Sequence, residues 1–225
     1  MPFLREKIEK MKTLYSKLVL GALVLGASGT SFAQKVDAKS KQLLDGVAEF
    51  YKSKKNNYFK FNFGTGANGK VSKTETGIYY MTPSQYKLKI MGVEQIFDGS
   101  KLYNISDEDK EVTIAKATNS EVMFSPTAYL DSYKKEYNTS YVGKRKVGNV
   151  NTDLIKLVPI SSNGISSVFI YVNAAKKQIV KLEQYGTDKS VSVIAINDYK
   201  ENQNLSAGTF SFDKNEYKNY LITEL

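Results

Sequence analysis

Enzyme chemistry needs side chains that move protons, attack carbon or hold a metal, and this chain offers few of them. Its 225 residues include no histidine and no cysteine. That removes the commonest general base, the thiolate nucleophile and the usual zinc ligands. Ser132 and Lys135 have the S-x-x-K spacing of a nucleophile with a lysine base, but no companion motif supports them and lysine is abundant enough for the pairing to arise by chance. Asp107, Glu108, Asp109 and Glu111 crowd four carboxylates into five positions. They lack the further ligands and the glycine of a calcium loop, and a tight hairpin selects the same residue types. "GTGANGK" at residues 64–70 has the wrong spacing for a phosphate loop and lies between strands. The expectation is a protein that is not an enzyme, with no catalytic residue, no metal and no cofactor.

The aromatic residues are the richer signal, because tyrosine joins an apolar body to a polar tip and suits a greasy surface that tolerates exposure. Phe59, Phe61, Phe63, Ile78, Tyr80, Tyr86, Leu88 and Ile90 fall on consecutive strand-like segments. Read as sharing one face, they form the lining of an apolar cavity.

The elements that hold this lining follow from periodicity. Residues 36–56 form a helix, with Asp37 as N-cap and Leu43, Leu44, Val47, Phe50 and Tyr51 at helical spacing. The period then changes to two, and "YFKFNF" opens a meander: strands at 58–63, 71–81, 86–90, 94–97, 101–105 and 111–115. A second helix is expected over "FSPTAYLDSYKKEY", with Ser125 at N-cap, Pro126 at the first helical position and Tyr129, Leu130, Tyr133 and Tyr137 on one stripe. Strands resume at 141–147, 153–158, 167–172, 179–185 and 191–199, and a last one is placed at 208–212. The fold expected is mainly β with α: an incomplete antiparallel barrel of about eleven strands around a hydrophobic cavity. A sheet of this length curls by its own twist, and more than about eight strands leave a hollow. Two helices cannot coat the outside, so Leu43, Val47 and Phe50 with Tyr129, Leu130 and Tyr133 are placed inside the curl as a lid or plug.

Residues 1–33 read as a secretory signal peptide: a basic start, the ten-residue apolar run "LVLGALVLGA", and Ser31-Phe32-Ala33 before Gln34. The run is too short to cross a bilayer core of about 30 Å as a helix. Translation from Met11 also gives a complete signal. The remaining domain, 34–225, is expected to be exported and soluble, and the absence of cysteine leaves no site for a lipoprotein anchor. The leader holds five basic and two acidic residues, so a formal charge of +9 falls to +6 on its removal. Arg145 is then the one arginine left, which argues against nucleic acid, since base and phosphate readers use arginine's bidentate fork.

"FDGSKLYNISDEDKEVTI", "GIYYMTPSQYKLKI" and "FSPTAYLDSY", followed by a C-terminal sheet ending in "FSF", resemble the outer-membrane lipoprotein carrier (LolA) family in order and spacing along nearly the whole mature chain. The resemblance implies a carrier that takes acylated lipoproteins from an inner-membrane releasing transporter to an outer-membrane acceptor. The family commonly has an arginine before the proline of the strand-Pro-strand element, where it latches the lid. Here the latch position is Thr82. Two other readings fit the same fold: a carrier or sensor of another amphiphile, such as a glycolipid or pigment precursor, and an envelope protein-interaction module without lipid cargo.

Overall fold

The computed structural model describes residues 35–116 and 125–225; the expected leader, Gln34 and Phe124 lie outside them. Helix α1 (Ala38–Lys52) starts where Asp37 offers its carboxylate to the free N–H groups of Lys39 and Ser40, each at 3.2 Å. Leu43, Leu44, Val47 and Tyr51 repeat at helical spacing and are buried. Asp37 also reaches beyond the helix. Its carboxylate accepts the N–H of Tyr141 at 3.2 Å, and its own N–H donates to the Thr139 hydroxyl at 3.1 Å.

The rest is one sheet of twelve strands: β1 (Asn57–Ala67), β2 (Lys70–Met81), β3 (Tyr86–Ile90), β4 (Val93–Phe97), β5 (Lys101–Ser106), β6 (Glu111–Lys116), β7 (Tyr137–Val147), β8 (Val150–Pro159), β9 (Ile165–Asn173), β10 (Gln178–Gly186), β11 (Ser190–Glu201) and β12 (Leu221–Glu224). Their order across the sheet is β12-β6-β5-β4-β3-β2-β1-β11-β10-β9-β8-β7. All neighbours are antiparallel except β12, which lies parallel to β6. β12 and β7 are the two edges, so the barrel is incomplete, as the periodicity leads one to expect. The sheet is strongly curled: one apolar cluster joins Leu102 of β5 to Ile155 of β8 through the side chains of α1.

Three expected elements differ. β1 runs on through Ala67, so the expected 64–70 turn shrinks to Asn68-Gly69, both at positive φ as a two-residue hairpin demands. Residues 208–212 are not a strand. That stretch forms turns that lead to a 3-10 helix (Lys214–Tyr217) and then to β12. Its aromatic side chains explain why. Phe212 stacks on Tyr103 at 4.8 Å and on Tyr217 at 5.1 Å, and with Tyr220 and Ile222 they cover Ile96, Ile105, Val112 and Ile114 on the outer face of β4–β6. Finally, the expected second helix is helical only as α2 (Tyr133–Glu136); residues 126–132 are turns, and Tyr137 opens β7. Turn bonds such as Ala128 N–H to Ser125 O and Leu130 N–H to Thr127 O hold the segment, and Tyr129 and Leu130 are both buried.

Replacing Asp37 by Ala removes the cap and the tie to β7, and should cost about 1–2 kcal/mol; Asp37→Asn should keep most of it. Urea denaturation of the two variants measures the difference.

Candidate functional site

The candidate site is the concave face of the sheet with the segments that cover it. Phe59, Phe61, Tyr86, Leu88 and Ile90 are buried in its main cluster, and Phe63 packs at its margin. Ile78 and Tyr80 do not share this face. Register pairs Tyr80 with Tyr58 and Ile78 with Lys60, whereas Tyr79 stands opposite Phe59, and Gly77 opposite Phe61. Tyr80 instead packs on the Tyr58 ring outside, at 4.8 Å. The physical reason is the two-residue period: a strand that reads Ile-Tyr-Tyr-Met has apolar groups in both phases, and pairing with β1 selects one. Gly77 is needed on the inner face. A methyl group there would sit 2.5 Å from the Phe61 ring, which lies across the space the glycine leaves.

Beyond β1 the wall continues through strands whose individual residues the sequence did not single out. Phe63 faces Ile194, which pairs with Leu182, then Ile170, then Ile155; the last four are fully or almost fully buried. On the other flank the inner face turns polar. Leu88 pairs with Gln95 and Gln95 with Asn104. Tyr86 donates to Gln95 Oε1 at 3.1 Å and Gln95 donates to Asn104 Oδ1 at 2.7 Å. The cup is therefore greasy over most of its wall, with one satisfied polar ladder.

Two separate segments fill it. Helix α1 brings Leu43 and Val47, with Phe50 half-buried; residues 125–136 bring Tyr129, Leu130 and Tyr133, and all six join the wall's cluster. Their attachments differ. α1 is tied at both ends: at its start through Asp37 and a Thr139 N–H to Lys35 O bond of 2.9 Å, and at its end where the Asn57 side chain donates to Tyr51 O at 2.9 Å. The Ile179 N–H also donates to the Tyr51 hydroxyl at 3.0 Å. Residues 125–136 hold on through side-chain tips and, at their end, through one backbone bond from the Ile160 N–H to Glu136 O at 2.8 Å. Tyr133 donates to Asp45 Oδ1 at 2.7 Å, and Lys134 meets the same oxygen at 2.5 Å. Lys52 meets Asp131 at 2.8 Å, Tyr129 bonds Gln184, and Tyr79 bonds Ser125 and Thr127.

Asp45 is the centre of that clasp. Burial opposes its charge, but Lys134, Lys41 and Tyr133 outweigh this and hold the carboxyl at about 2, against an ordinary 3.8. Burial, with the carboxylate beside it, raises the Tyr133 hydroxyl well above a free phenol, so it stays a donor. Burial also pushes Tyr79 up, to about 12. Thr82 plays no part in this clasp. Its hydroxyl accepts from Gln85 N–H at 2.9 Å and from Ser84 N–H at 3.3 Å, locking its own turn. A hydroxyl one carbon from the backbone satisfies the nearest free donors first.

The acidic turn is likewise structural. Asp109 accepts from Ser106, and Asp107 accepts from Tyr220 at 2.9 Å, pinning the C-terminal segment. Among the described residues no cluster of acidic side chains is placed to hold a metal ion, and no helix is long and apolar enough to cross a membrane.

Residues 63–213 match the family model described as outer membrane lipoprotein carrier protein LolA. Curated proteins contain no match. Among solved structures, an uncharacterised conserved protein of Thermus thermophilus superposes with a TM-score of 0.59 at 9% identity, over 83% of this chain and 99% of that one. A LolA superfamily protein of Nitrosomonas europaea gives 0.41 at 13% identity, over 77% and 98%. A chain of the Pseudomonas aeruginosa MucA/MucB complex gives 0.39 at 10%, over 79% and 62%. The first of these likenesses is one of fold.

Two outcomes test this geometry. Gly77→Ala should destabilise the chain by about 1–3 kcal/mol through collision with Phe61, measured by thermal or urea unfolding. The depressed Asp45 carboxyl contributes stability that is complete above its ordinary value and lost as pH falls through about 2. Its carboxyl carbon shift, followed by NMR, should stay flat from neutral pH through mild acid and move only as pH approaches about 2.

Proposed function

The chain belongs to the outer membrane lipoprotein carrier (LolA) family, and from that premise we propose that it is an exported, periplasmic carrier that shields the acyl chains of lipoproteins. It takes them from an inner-membrane releasing transporter and passes them to an outer-membrane acceptor, as a monomer. The observation that carries this reading is the shared cluster: wall residues Phe59, Phe61, Tyr86 and Leu88 belong to one buried apolar cluster with Leu43, Val47, Tyr129, Leu130 and Tyr133. The cup is filled by side chains that acyl chains can replace like for like.

Moderate affinity follows from that competition. Each buried methylene contributes about 0.8 kcal/mol, so a diacyl cargo meeting an empty, rigid cup would not leave. Here cargo must first displace aromatic and aliphatic groups that already occupy the wall, and only the difference drives binding. In this proposal residues 125–135 move while α1 stays, because between Ser125 and Lys135 the segment meets the rest of the protein through side-chain tips, whereas α1 is pinned at both ends. The Tyr86–Gln95–Asn104 ladder gives the cargo's polar junction, where acyl chains meet peptide, a place to hydrogen-bond. Thr82 has no role in the latch; Asp45 takes it, with Tyr133 and Lys134.

Native mass spectrometry of the chain recovered from its own envelope should show acylated peptide or lipoprotein bound one to one. A stoichiometric unacylated partner, or no ligand at all after gentle purification, would refute the reading. Leu130→Asp should weaken binding of a palmitoylated peptide at least tenfold, from loss of an apolar contact and burial of a charge. Asp45→Asn should instead tighten it by loosening the closed form. Fluorescence titration measures both.

A further inference from the structure

The register of the sheet sorts charge along the strands in a way the sequence order hides. β7 and β8 turn at residues 148–149, and β9 and β10 at 174–177. Strand pairing puts both turns at the end of the sheet where β1 begins. Lys144, Arg145 and Lys146 lie beside the first turn and Lys176 and Lys177 in the second, all exposed, with exposed Lys55 at the same end where α1 passes into β1. Asp153, on β8 beside the first hairpin, is buried and paired with Lys144 at 2.8 Å. The opposite end carries the β5–β6 and β10–β11 turns, where Asp107, Glu108, Asp109, Glu111 and Asp188 are exposed. The protein is basic at one end of its strands and mixed at the other, where exposed Lys70, Lys73, Lys110 and Lys189 stand among these acids.

We propose that the basic end docks on an anionic phospholipid surface. The charges sit in and beside the turns of two neighbouring hairpins at one end of the sheet. With Lys144 paired to Asp153, three of the four remaining hairpin charges are lysine, and an Arg145 N–H is spent on the Lys144 carbonyl at 2.7 Å. Lysine ammonium groups on flexible stems act as point charges that need no fixed partner geometry, which suits a layer of mobile headgroups better than the fixed carboxylates of an acidic protein. Exposed basic groups close to such a layer add their attractions within a Debye length. The opposite end, where lysines and acids nearly balance, offers the same layer little net attraction, so the protein approaches with its basic end first. This rests on charge placement alone and is independent of what the cup holds.

Flotation with vesicles tests it. The processed chain recovered from the envelope should float with vesicles of phosphatidylcholine mixed with phosphatidylglycerol at low salt, not with phosphatidylcholine alone, and should be released by added salt. Arg145→Gln, Lys146→Gln and Lys176→Gln together should weaken binding about tenfold or more, whereas Lys70→Gln, Lys73→Gln and Lys189→Gln at the other end, an equal loss of charge, should change it less than about twofold. Arg145→Lys with Lys146→Arg and Lys176→Arg should bind as the parent does. Equal losses from the two neutralised sets would reduce the effect to net charge and overturn the proposal. So would equal binding to neutral vesicles, or binding to immobilised polyglutamate with none to anionic vesicles.

Discussion

The structure depends on keeping water off the inner face of a curled twelve-stranded sheet. Curling gathers apolar side chains from β1–β3 and from β8–β11 around one hollow, and among the described residues a fifteen-residue helix and residues 125–136 cover it. Fully burying one large apolar side chain contributes about 1.5–3 kcal/mol. Leu44, Val47, Phe59, Phe61, Tyr133, Ile155 and Leu182 are each buried completely or nearly so, so the cover is held mainly by the wall beneath it. Anything greasy that enters must offer the wall as much.

The two parts of the cover are built for different duties. α1 ends in hydrogen bonds to backbone and to Asn57, and its last turn is wedged in a ring cluster where Tyr51 meets Phe59 edge-on at 5.2 Å and Tyr199 at 5.6 Å. Breaking it out means unfolding the start of β1. Residues 125–136 are turns and a single helical turn, and several of their ties are ion pairs with half-exposed lysines such as Lys134 and Lys52. Exposed pairs of that kind are weak. A cover with one fixed and one loosely held part lets the cup open without loss of the fold.

The C-terminal segment solves a separate problem. β6 leaves the meander with an open edge, which is a template for unwanted pairing. β12 occupies it over four residues, and Phe212, Tyr217 and Tyr220 cover the apolar outer face of β4–β6 behind it. Lys110 and Asp107, in the turn beside that edge, both bond Tyr220. The acidic turn, which by composition alone looks like a weak metal loop, is thereby the anchor of the tail.

Local sequence was enough for what depends on local geometry. Asp37 with the Leu43–Val47–Tyr51 spacing determined α1, because cap and stripe lie within fifteen residues. Strict alternation in "YFKFNF" and "YKLKI" determined both the strands and their inner faces, since Lys60, Lys87 and Lys89 leave only one phase open to burial. The lack of histidine and cysteine determined which chemistry is out of reach. Tertiary structure decided whatever needed a partner distant in sequence. "IYYM" is apolar in both phases, so pairing with β1 turned Tyr79 inward and Tyr80 out. "GTFSF" alternates like a strand but found Tyr103 before it found an edge. Thr82 satisfied its own turn, and Asp45 became the clasp because Tyr133 and Lys134, some ninety residues on, close over it. The gathering of basic turns at one end exists only once the register is set. Periodicity records how a segment can fold; which face is buried, and what meets it there, is fixed by contacts between strands that the chain brings together only on folding.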